Sequence, residues 1–150
     1  YGLVQDSGGA GKYRGGCGTI WEVEPIDHEM TVISFGEGRH YPSLGTNGAE
    51  SACPELKVGS IELKNGDQVV ETMKKNAILT IKGGQRVSTS NPGGGGWGNP
   101  YEREAESVAT DVRNGYVSVE AALKEYGVEI RIADLSINYE ATRKLRAARA

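Results

Sequence analysis

Four consecutive glycines, Gly93 to Gly96, stand between Asn91-Pro92 and Trp97-Gly98-Asn99-Pro100. Glycine reaches backbone angles closed to other residues and lets a second backbone approach closely. It also loses the most conformational freedom on ordering, so four in a row oppose folding unless the run is a linker or is held by its neighbours. Flexible linkers are polar and extended, whereas this run is short and ends on a tryptophan. It separates a β-patterned region, 1–90, from a helix-patterned region, 101–150. Residues 91–100 are therefore read as an ordered glycine-rich turn with a packed indole, joining two parts of one domain spanning 1–150.

The pattern before the turn is that of an antiparallel sheet. Between Cys17 and Glu24, Trp21 and Val23 alternate with Glu22 and Glu24, the period of a half-buried strand. Pro25-Ile26-Asp27-His28 interrupts it, and Met30 to Phe35 reads as a second strand, so the two are expected to form a hairpin. Residues 45–54, rich in Gly, Asn and Ser, are expected to be a mobile loop that tolerates insertion. Ser60–Lys64 and Asp67–Met73 alternate on either side of Asn65-Gly66, the strongest short hairpin signal. Ala77–Lys82 and Gln85–Ser90, joined by Gly83-Gly84, extend this to a four-stranded meander.

After Pro100 the period changes. Ala105, Val108, Ala109 and Val112 fall on one helix face, with Glu102, Glu104 and Glu106 at its positive end. Gly115 is placed for a left-handed stop. Ser118 caps a second helix with Val119, Ala122, Leu123 and Tyr126 as its stripe, ended by Gly127. Val128, Ile130 and Ile132 alternate as one more strand. Asp134 or Asn138 opens a last helix marked by Ala141, Leu145 and Ala148, whose basic end reads as a solvated tail or a docking helix. The fold class is α+β: antiparallel meander and hairpins in the first two-thirds, then two or three short helices.

Composition excludes several functions. A net charge of −3 with 25% charged residues argues against a general polyanion binder. No apolar run is long enough to span a membrane. Cys17 and Cys53 are too few for a disulfide framework, which fits buried free thiols in a reducing cytoplasm. Gly8–Lys12, GGAGK, lacks the upstream Gly and the following Ser or Thr of a phosphate loop. Arg14-Gly15-Gly16 stands alone, unlike RNA-binding repeats. His28 and His40 have no ligand-spaced neighbours, so no metal site is read from them. Arg39 has the donor geometry for a carboxylate or phosphate. No Ser, Cys or Thr nucleophile has a base near it in sequence.

The longer motifs carry a family likeness. Gly93–Gly96, Trp97-Gly98, Pro100, Glu102-Arg103, Asp111-Val112-Arg113, Gly115, Val117-Ser118, Glu120, Ala122 and Tyr126-Gly127-Val128 resemble the C-terminal signature of the hydantoinase B/oxoprolinase family. Asp6 to Gly16, DSGGAGKYRGG, resembles a second segment of that family, and Arg39 matches an arginine before a Pro and a Gly. Trp97 stands where Tyr is more usual, and Asn99 where Asp is common.

The resemblance implies the C-terminal part of a B-type subunit. Such a protein works with an A-type subunit that binds ATP and Mg and phosphorylates an amide or carbonyl oxygen. Ring-opening hydrolysis of 5-oxoproline or a hydantoin is the reaction expected. Carboxylation of acetone or acetophenone, or a non-catalytic interaction module, are the alternatives. Any divalent metal is expected in the upstream part of the B-type subunit, and no cofactor, catalytic residue or nucleotide site in this chain. The start at Tyr1-Gly2-Leu3, close to a family motif, reads as that of a piece of a longer protein. The expected partners are the A-type subunit and the upstream B-type sequence, with no nucleic acid and no membrane. The candidate loop and interface residues are Asp6, Gly8, Gly9, Lys12, Arg14, Arg39, Gly93, Gly94, Gly95, Gly96, Trp97 and Tyr101.

Overall fold

A computed structural model describes residues 1–35, 41–52, 61–73 and 77–149. The fold is α+β, with seven strands preceding three α-helices. The strands are β1 (Gly2–Leu3), β2 (Thr19–Val23), β3 (Met30–Ser34), β4 (Ile61–Asn65), β5 (Gln68–Met73), β6 (Ala77–Ile81) and β7 (Gln85–Asn91). They form a five-stranded sheet in the order β1-β2-β7-β4-β5 and a two-stranded sheet, β3-β6, all antiparallel.

The alternation in β2 and β3 places apolar residues as the period requires, but the two strands do not form a hairpin. β2 pairs with β7, Trp21 opposite Thr89, while β3 pairs with β6, Val32 opposite Leu79. Val23 and Val32 instead belong to one apolar cluster with Ile61, Ile81 and Val87. Their strands therefore face each other across a core, and Asp27, with φ of 56°, helps to turn the chain between them.

The Asn-Gly hairpin forms between β4 and β5, with Asn65 paired to Gln68 and Gly66 at φ 59°. The meander beyond it does not. β7 inserts between β2 and β4, and β6 leaves for the other sheet. Gly83-Gly84 does reverse the chain, with the Gln85 amide donating to the Lys82 carbonyl at 3.0 Å, but between sheets rather than within one. The buried Val87, Ser88, Thr89 and Ser90 mark β7 as a central strand covered on both faces.

A 3-10 turn, Pro100–Glu102, leads into α1 (Ala105–Arg113), α2 (Val119–Tyr126) and α3 (Tyr139–Ala147). Asn99 accepts from the Tyr101 amide and Ser118 from the Ala121 amide, each removing an orphan donor at a helix start. Gly115 and Gly127 take left-handed angles of 73° and 62° at the stops. Val108, Ala109 and Val112 of α1 pack with Ala121, Ala122 and Tyr126 of α2, and with Ala10 from the N-terminal segment.

Two expectations for the C-terminal region fail. Residues 128–132 make no strand: Ile130 forms a single bridge with Ile137, and Ile132 is exposed. Asp134 accepts from both the amide and hydroxyl of Ser136, a local turn that reverses the chain before a ladder can grow. In α3 Thr142 is buried and Ala141 and Arg146 are half-buried, whereas Leu145 and Ala148 are exposed. Thr142 Oγ1 accepts from the Glu129 amide at 3.1 Å. Arg146 donates to the carbonyls of Tyr126 and Arg103 at 3.1 and 2.8 Å, so it is a tie to the domain rather than part of a solvated tail. Asn138 is the cap, accepting from the Ala141 amide.

Candidate functional site

The glycine run is a thread between two neighbouring backbones, not a turn. None of Gly93–Gly96 has a positive φ; the first that does is Gly98, at 75°. On one side run residues 8–16. Gly9 donates to Gly94, Gly94 donates to Gly16, and Tyr13 and Trp97 exchange both backbone hydrogen bonds. On the other side run residues 45–50, where Thr46 donates to Gly96 and Gly96 donates to Glu50. Glu50 in turn donates to Ala10 at 2.7 Å, closing the three segments on one another.

Glycine is required here by proximity. A Cβ on Gly93 would lie 2.2 Å from the Ser7 carbonyl oxygen, one on Gly95 2.1 Å from that of Leu44, and one on Gly96 2.5 Å from that of Ala10. Gly9 and Gly15 face the same constraint from Glu50 and Gly94. Gly94 differs, since its nearest neighbour would be 3.4 Å away. Residues 45–52, expected to be a mobile loop, are thus one wall of this interlock, and Ala52 is buried. Trp97 corrects the expectation of a packed indole: the residue is 47% exposed and its ring lies tilted against Tyr13, 5.6 Å between ring centroids. The backbone is packed and the ring is presented outward.

An ionic clasp fastens the interlock to the helices. Asp111, on the inner face of α1, accepts from Arg14 Nε at 3.2 Å and from Arg103 Nη2 at 2.9 Å. Arg14 also lies over the Tyr116 ring and Arg103 donates to the Lys12 carbonyl. Burial disfavours the charge on Arg14, but the Asp111 carboxylate outweighs it and raises the guanidinium's pKa. Beside the clasp, burial pushes the Tyr126 hydroxyl well above its ordinary range, keeping it neutral. Lys12 pairs with Glu102 at 3.1 Å on the surface. Cys17 is a free thiol near Arg14 Nη1 and the Tyr116 carbonyl.

Next to the interlock is an open cavity of ≈ 530 Å³, within the range of small-molecule sites. Of the residues singled out from sequence, Asp6, Gly8, Gly9 and Tyr101 line it, joined by Glu50, Lys124, Glu125 and Arg149. Asp6 is held with φ at 58°, its Oδ1 accepting from the Ser118 amide at 2.7 Å. Tyr101 packs where a Cβ on Gly127 would fall 2.6 Å from its ring, and its hydroxyl donates to the Lys124 carbonyl. Arg149 lies over that ring and donates to its hydroxyl. Burial, then the Asp6 charge, raise the Glu125 carboxyl above its usual range.

Lys12, Arg14, Gly93–Gly96 and Trp97 belong to the interlock and clasp, and Arg39 lies outside the described residues. The sequence reading missed Glu50, Lys124, Glu125 and Arg149. They come from segments far apart in the chain, and no local spacing connects them. Asp111 did leave a signal: an acid following Val108 and Ala109 on the apolar face of α1. His28 sits in an exposed turn, as expected, and His40 and Cys53 lie outside the described residues. Among the described residues, no group of three or more His, Cys, Asp or Glu is placed to hold a metal ion, and no helix is long and apolar enough to cross a membrane.

Comparison with known proteins places this arrangement. Residues 1–100 match the family model described as Hydantoinase B/oxoprolinase. The chain is 48% identical over 130 residues to the caprolactamase beta subunit of Pseudomonas jessenii, covering 87% of this chain and 22% of that protein. It is 34% identical over 149 residues to the B-type subunit of a putative D-/L-hydantoinase from a Pseudomonas species, covering 97% of this chain and 24% of that protein. The crystal structure of ATP-dependent caprolactamase from P. jessenii superposes with a TM-score of 0.78 at 42% identity, over 98% of this chain and 25% of that one. The chain thus spans about a quarter of the length of these relatives. With the family model matched over two-thirds of its length and the same fold in a solved relative, this chain belongs to the hydantoinase B/oxoprolinase family.

Proposed function

We propose that the chain is the C-terminal part of a B-type subunit in an ATP-dependent cyclic amidohydrolase. The observation that carries this is the 48% identity to a caprolactamase component, reinforced by superposition over nearly the whole chain. The chemical need for ATP is plain. An amide is a weak electrophile, and its oxygen is a poor leaving group until it carries a phosphoryl group. An A-type partner with bound ATP and Mg transfers the γ-phosphoryl to the amide oxygen and releases ADP. Water adds at the activated carbon, the C–N bond breaks, and an amine and an acyl phosphate result. A second water converts the acyl phosphate to carboxylate and phosphate.

This chain's part in that scheme is architectural. The interlock and the Arg14–Asp111–Arg103 clasp make a rigid body that presents Tyr13, Trp97 and Lys12 on its surface. These residues, with Arg39, are proposed to contact the A-type partner or the remainder of the B-type subunit. Aromatic side chains on a fixed backbone are efficient interface anchors. A divalent metal, where the complex uses one, belongs to the remainder of the B-type subunit. The complex is placed in the cytoplasm, where ATP and reduced thiols are found.

The test is reconstitution. The B-type subunit containing this chain, co-expressed with an A-type ATP-binding subunit, should co-purify with it. ADP release should be stimulated by caprolactam, 5-oxoproline or a hydantoin. Stimulation by acetone with bicarbonate, and not by any cyclic amide, would replace this reading with carboxylation.

A further inference from the structure

The charged side chains around the cavity beside the interlock are of both signs. Asp6, Glu50, Lys124, Glu125 and Arg149 all line it, and none makes an ion pair with any described residue. Asp6 and Glu50 raise the Glu125 carboxyl and Lys124 lowers it, so three carboxylates outnumber one ammonium there, and the cavity is completed by Arg149. Its guanidinium lies over the Tyr101 ring.

Both ends are preorganised. The acidic end rests on the interlock, because the Glu50 backbone is bonded to Ala10 and Gly96 and Asp6 is tied to Ser118 at a strained left-handed angle. The basic end rests on Tyr101, wedged against Gly127 and bonded to Lys124. A fixed cavity carrying unneutralised charges of both signs is complementary to a ligand with an ammonium at one end and a carboxylate at the other.

We propose that this cavity binds a zwitterionic amino acid, its ammonium on the Asp6, Glu50 and Glu125 carboxylates and its carboxylate on Arg149. The choice among zwitterions rests on the function proposed above. Hydrolysis of a cyclic amide creates one amine and one carboxylate on a single short chain, so the ring-opened product has this bipolar form. From caprolactam that product is 6-aminohexanoate.

The test is titration of the folded chain with 6-aminohexanoate, hexylamine and hexanoate, followed by backbone amide shifts and calorimetry. The proposal expects saturable binding of 6-aminohexanoate, about tenfold or more tighter than either one-ended analogue, with shifts at Asp6, Glu50, Tyr101 and Glu125. Glu125→Gln and Arg149→Gln should each weaken it about tenfold. The first should erase the preference over hexanoate and the second the preference over hexylamine. Glu50 is exposed, so Glu50→Gln supplies a fold-neutral repeat of the acidic arm. Absence of saturable binding overturns the proposal. So does equal binding of hexylamine, which would make the cavity a seat for a lysine side chain of another protein. The two readings fail separately. Binding of 6-aminohexanoate without amide-stimulated ADP release by the complex removes the amidohydrolase and leaves the site. ADP release with no binding here does the reverse.

Discussion

Gly95 and Leu44 approach so closely that a Cβ on the glycine would sit 2.1 Å from the leucine carbonyl oxygen. No rotamer relieves that overlap, because a Cβ is fixed by its own backbone and the atoms it meets, Leu44 O and C and Gly45 N, are backbone too. Gly95→Ala is expected to cost about 3 kcal/mol or more, and Gly95→Val to prevent folding. Gly94→Ala, where the nearest atom is 3.4 Å away, should lose no more than about 1 kcal/mol. Urea unfolding of the variants measures the contrast. Equal losses at the two positions would show that the run is a flexible turn after all.

Asp111 serves two guanidinium groups from a site that is 7% exposed. Asp111→Ala leaves Arg14 and Arg103 half-buried without an anion and is expected to cost roughly 3–5 kcal/mol. Removing the surface pair with Glu102→Ala should cost under about 1 kcal/mol. Thermal melts at neutral pH compare them. A small loss at Asp111 would mean that the clasp does not hold the interlock to α1.

Glu125 sets a pH dependence of unusual sign. Its carboxyl is raised in the fold by burial and by Asp6, so the folded chain holds that proton to higher pH than the unfolded chain does. Its contribution to stability is fully present below the ordinary carboxylate pKa and is lost as pH rises through the raised value. Glu125→Gln should therefore melt about 1–2 °C higher at pH 7, with the difference vanishing at low pH. Stabilisation at neutral pH together with lost amino-acid binding would separate a binding role from a structural one. A lower melting point for the variant at pH 7 would contradict the assignment.

Arg146 and Leu145 exchange the roles that periodicity gives them. Arg146→Ala removes two hydrogen bonds to carbonyls and is expected to destabilise by about 2 kcal/mol, more than Leu145→Ala, which should stay within about 1 kcal/mol. Chemical denaturation of both variants decides between them.

These residues show which features a reader of the sequence can see. The Asn65-Gly66 hairpin, the Ser118 cap and the left-handed stops at Gly115 and Gly127 are local, set by backbone chemistry within four residues, and all are present. Family motifs also located two of the three segments that form the interlock, 8–16 and 93–98, whereas 45–50 reads in sequence as a mobile loop. The pairing of β2 with β7 and of β3 with β6 depends on strands distant in sequence finding each other across a core, and alternation alone carries no partner. In α3 a long aliphatic marked the wrong face, because Arg146 satisfies carbonyl groups that no apolar residue can. The cavity was half visible: Asp6 and Tyr101 lie in motifs, whereas Glu50, Glu125 and Arg149 become neighbours only once the glycine thread is drawn between its two walls.

The chain alone, given ATP and Mg, is expected to release no ADP above background. The most direct measurement of the whole account is therefore product analysis on the assembled complex of the B-type protein with an A-type ATP-binding partner. Supplied with ATP and caprolactam, the complex should form 6-aminohexanoate and ADP in equal amounts. The complex carrying Asp111→Ala should do so poorly. Steady ADP release with caprolactam, 5-oxoproline and a hydantoin all left unopened would contradict the amidohydrolase assignment.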